Sequence, residues 1–122
     1  MPVTYTFEAN VVLITLSGEY PIDDLRRTID AAFADSRYPP HARLIIDLSQ
    51  SRSIVQRTTD EIKSVAELLV RKADRFTHRL ALVAAQDLIY GILRMTSVGS
   101  ESLGVESGVF RSVDEARTWI MS

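Results

Sequence analysis

Ile62, Val65, Ala66, Leu69, Ala73 and Phe76 recur at steps of 3, 1, 3, 4 and 3, and the run RLALVA follows at residues 79–84. The first pattern is one face of an amphipathic helix. The second is a continuous apolar strand, of the kind found in a sheet covered on both faces. A helix that buries such a stripe and feeds such a strand must pack on a sheet. Repeated along a chain, that alternation makes a layered α/β domain with parallel strands. The start of this helix is marked as well. Thr58 and Glu61 have capping-box spacing, with the hydroxyl placed to satisfy an N-terminal amide and the carboxylate to reach back.

The rest of the chain repeats the theme. Val3, Tyr5 and Phe7 alternate with Thr4, Thr6 and Glu8, the pattern of a strand with one wet face. Asn10 reads as a turn residue, and Val11 to Ser17 as a more deeply buried strand, so the pair is expected to form an antiparallel hairpin. Ile22, Leu25, Ile29, Ala32 and Phe33 then share one helical face, with Pro21 acceptable in the first turn. Pro39 and Pro40 end that helix, and Leu44 to Leu48 reads as the third strand. Leu88, Ile92 and Met95 outline another helix, in which Gly91 costs roughly 1 kcal/mol relative to alanine. A short strand is expected over Val105 to Arg111. Ser112 and Glu115 repeat the capping-box spacing before a last helix that packs Val113, Ala116, Trp119 and Ile120. The fold class is therefore α/β: one domain over residues 1–122, with a single mixed, mainly parallel sheet of about five strands. An antiparallel N-terminal hairpin opens the sheet, and four helices pack on it.

Composition narrows the function. The chain has 122 residues, of which 46% are hydrophobic and 25% charged, and it contains no cysteine. It is long enough for one real core. Disulfides, thiol nucleophiles and thiolate metal sites are excluded. No apolar run approaches the ~20 residues that cross a bilayer, and the start MPVTYTFEANVVL lacks the features of a signal peptide. A cytoplasmic location is expected. Net charge is -2, from 14 basic and 16 acidic side chains, which argues against nucleic acid as a partner. The densest basic cluster, Arg71, Lys72, Arg75, His78 and Arg79, falls where a helix ends, so these residues are expected to complement its dipole.

Familiar catalytic signatures are missing. His41 and His78 precede strands and have no ligand-like spacing. Gly99 and Gly104 are spaced as in a phosphate loop, but Val105 and Glu106 stand where lysine and a hydroxyl residue are needed. No cofactor, no metal and no catalytic residue is expected. Two polar constellations remain. One is Asp47, Ser49, Ser51, Ser53, Gln56, Arg57 and Thr58, at the carboxyl end of a central strand, where α/β sheets usually meet ligands and partners. Its bland alternative is a turn in which serines satisfy local backbone groups. The other is the face Asp87, Tyr90, Arg94, Ser97 and Glu101 on the Gly91 helix. It reads either as the solvated side of the helix or, through Tyr90 and Arg94, as an interface.

The element order, together with LIIDLS at the end of the third strand, RLALVAAQDLIYGILRM and VFRSVDEARTWI, resembles the STAS superfamily, named for sulfate transporters and anti-sigma-factor antagonists. The likeness is closest to its sporulation-antagonist-like, CRAL-TRIO-like branch and extends over nearly the whole chain. It implies a STAS-like fold and a non-catalytic regulatory domain that binds a protein partner. In the antagonists an aspartate-serine-serine-glycine segment at the next helix start carries the phosphorylated serine. Here that segment falls on Val55-Gln56-Arg57-Thr58, without the acid, the serines or the glycine. The resemblance thus implies partner binding without that switch. Some relatives resemble lipid-transfer domains, so a small apolar ligand stands as the alternative, and a homodimer is left open.

Overall fold

The computed structural model describes residues 3–18, 21–51, 67–69, 71–77, 79–85 and 106–121. Its centre is a five-stranded sheet, β1 (Val3–Glu8), β2 (Val11–Gly18), β3 (Arg43–Ser51), β4 (Arg79–Val83) and β5 (Glu106–Phe110), in the order β1-β2-β3-β4-β5. β1 and β2 are antiparallel, and every later pair is parallel. The α/β class and the mixed sheet agree with the expectation from sequence. The helix count differs: among the described residues there are three helices, not four. They are α1 (Ile22–Ala34), a stretch that is α-helical at residues 67–69 and 71 and ends in a 3-10 turn (Ala73–Phe76), and α2 (Val113–Ile120). The helix expected around Gly91 and the Thr58–Glu61 capping box lie outside the described residues.

Each face of the sheet is covered by different helices. Even-numbered residues of β2, β3 and β4, such as Ile14, Leu16, Leu44, Ile46, Leu80 and Leu82, pack with Leu25, Ile29, Ala32 and Phe33 of α1 and with Leu69 and Phe76. Val11, Ile45, Ala81 and Val83 face the other way and pack with Ala116 and Ile120 of α2. The stripe that marked the second helix in the sequence therefore does bury Leu69 and Phe76, but its last turn tightens to 3-10 geometry. A three-residue step such as Ala73 to Phe76 suits a 3-10 turn as well as an α-helix. α2 begins as its sequence predicts, with the Ser112 hydroxyl accepting the Glu115 N–H at 3.2 Å. It also lies close to β5: a β-carbon at Gly108 would stand 2.9 Å from the Phe110 ring and 3.6 Å from that of Trp119.

Asn10 lies in the β1–β2 turn, as expected, together with Ala9. Ala9, not Asn10, takes the left-handed conformation, with φ at 54°. Asn10 instead fixes the turn to the start of β3. Its carbonyl accepts the Arg43 N–H at 2.9 Å and its side-chain amide donates to the His41 carbonyl at 3.4 Å. A left-handed alanine is strained by roughly 1 kcal/mol or more, which glycine avoids. Ala9→Gly should consequently stabilise the fold by about 0.5–1 kcal/mol, after allowance for the freer unfolded chain. A urea midpoint that stays put or falls in the variant would show that the turn is not strained.

Candidate functional site

The carboxyl end of β3 is where the sequence places its chief polar constellation, and the backbone there is irregular. Thr15 of β2 pairs with Asp47, but Ser17 pairs with Gln50, so β3 carries one extra residue between these two rungs. This is a bulge, a device that re-aims side chains and ends regular pairing. Alternation alone would set Asp47, Ser49 and Ser51 on one side. The bulge breaks that series, placing Gln50 opposite Ser17 and Ser51 opposite Gly18.

Asp47 holds the bulge in place. Its Oδ1 accepts the Ser49 backbone N–H at 2.9 Å and the Ser49 hydroxyl at 2.6 Å. A carboxylate that bonds the amide two residues on is an Asx turn closed by the side chain. Leu48, between them, is buried in the core beneath, while Gln50 is exposed. The arrangement gives a half-buried serine pinned to its own strand, with an exposed amide beside it. Of the sequence-predicted site residues, the structure thus brings Asp47 and Ser49 together and makes Ser51 the last residue of the strand. Ser53, Gln56, Arg57, Thr58, Tyr90 and Arg94 lie outside the described residues. Among the described residues no group of three or more carboxylates or histidines is placed to hold a metal ion.

Two clusters escape a reading by sequence. In the first, the basic residues do complement helix ends, but of helices distant in the chain. Arg75 donates through Nη2 to the Phe33 carbonyl in the last turn of α1. Arg79 donates through Nη2 to the Trp119 carbonyl at 3.1 Å and lies 4.5 Å above the Trp119 ring. Arg43 donates through Nη1 to the Ile120 carbonyl. The last carbonyls of a helix lack intrahelical donors and carry its negative end, so arginines suit them.

The second cluster joins β1 to the loop after α1. Tyr5 donates its hydroxyl to Asp35 Oδ2 at 2.8 Å, and Arg37 forks onto the same carboxylate through Nε and Nη2, at 3.1 and 2.8 Å. These bonds, with the Arg37 backbone N–H at 2.8 Å, hold the Asp35 carboxyl well below the usual carboxylate range. Conversely, donating to that carboxylate raises Tyr5. The Arg37 guanidinium lies 5.5 Å above the Phe7 ring. Farther in, burial pushes the Tyr38 phenol up to about 12. The signal for this cluster was a phenol on the core face of an apolar strand, because a tyrosine so placed needs a partner for its hydroxyl.

A scan against models of known protein families finds no match to the chain, and a search of curated proteins finds none that is similar.

Proposed function

We propose that the chain is a non-catalytic regulatory domain of STAS-like fold that binds a protein partner through the carboxyl end of β3 and the loop beyond it. The observation that carries this reading is the bond pair from Ser49 to Asp47. A general base directs its carboxylate at a substrate proton. Here the Oδ1 of Asp47 is committed to shaping its own strand, which favours a recognition surface over an acid–base site. The strand order adds support. Ligand crevices of open α/β sheets sit where the order reverses, and β1-β2-β3-β4-β5 runs in one direction. The antiparallel hairpin followed by parallel strands is also the arrangement that the likeness to anti-sigma-factor antagonists implies. In this reading the domain works in the cytoplasm, and Arg57 stands where those antagonists carry a switch serine. Its fixed cation and five donors suit a carboxylate or phosphate on the partner.

A photo-cross-linking residue placed at Gln50, with Asp30 on the exposed side of α1 as the control position, tests the proposal in extract of the source cells. A protein adduct is expected from position 50 and not from position 30. It should vanish with Arg57→Glu and persist in phosphatase-treated extract. Equal labelling from both positions would remove the surface from consideration. Dependence on phosphate at Ser49, Ser51, Ser53, Thr58 or Thr59 would mean that a displaced phosphorylation switch operates after all.

A further inference from the structure

We draw no further inference here: the strongest candidate, the outer edge of β1 (Val3–Glu8), which ends the strand order among the described residues, carries nothing, because the charges beside it, Asp35 and Arg37, are paired with each other at 2.8 Å and nothing in the structure shows what covers it.

Discussion

Phe76→Ala should destabilise the fold by about 4 kcal/mol, within the range for truncating a fully buried phenylalanine. Phe76 has no exposed surface and is the largest of the fully buried side chains among the described residues. It closes the 3-10 turn Ala73–Phe76 and stacks on Phe33 of α1, with ring centroids 6.4 Å apart and planes inclined by 26°. The ring is therefore shared by α1, the turn and the sheet, and no single one of them can shift to fill the space without losing contacts to the others. Phe76→Leu, which keeps much of the volume, should lose only about 1.5 kcal/mol. Urea titration followed by circular dichroism measures both, provided the slope of the transition is unchanged. A loss below about 1.5 kcal/mol for the alanine variant would mean that the site collapses freely.

Arg79→Met has the second-largest expected effect, about 3 kcal/mol, even though methionine keeps most of the packing of the stem. The arginine side chain is only 17% exposed and lies 3.7 Å from Glu106. Its guanidinium reaches the Trp119 carbonyl at 3.1 Å and the Ile120 carbonyl at 3.5 Å, and covers the Trp119 ring. Bonds from a charged donor contribute about 1.5–3 kcal/mol, and a shielded cation–π contact adds about 1 kcal/mol. Trp119 fluorescence should report the loss locally as well, because the cation leaves the ring face. Arg27→Met provides the contrast. Arg27 is 78% exposed, so that change should stay within about 0.5 kcal/mol. Equal effects from the two substitutions would show that Arg79 does not cap α2.

What the sequence conveyed was what local chemistry dictates. The buried face of α1, the alternation in β1 and the Ser112 cap all depend on residues a few positions apart, and each appears in the structure. Features set by distant parts of the chain did not show. β3 reads as Leu44–Leu48 because Ser49, Gln50 and Ser51 are polar, yet pairing with β2 extends it to Ser51. The bulge exists only relative to that neighbour, so no period within β3 could reveal it. Asp47 and Ser49 were legible as a polar strand end; their mutual bond was not, since alternation predicts neighbours on one face and no fold-back. The arginines that close helix ends failed for the same reason. Arg75 and Phe33 are 42 positions apart, and Arg79 and Trp119 are 40 apart.

The one-directional strand order has a further consequence for how the molecule is made. Each new strand of β1-β2-β3-β4-β5 joins the open border left by the one before, so none has to insert between two that are already paired. A chain leaving the ribosome amino end first can therefore build its sheet outward, in step with synthesis. α2 completes it, and Arg117 reaches back to Glu8 at 2.8 Å, linking the last helix to the first strand. During that growth the advancing border is covered by each arrival.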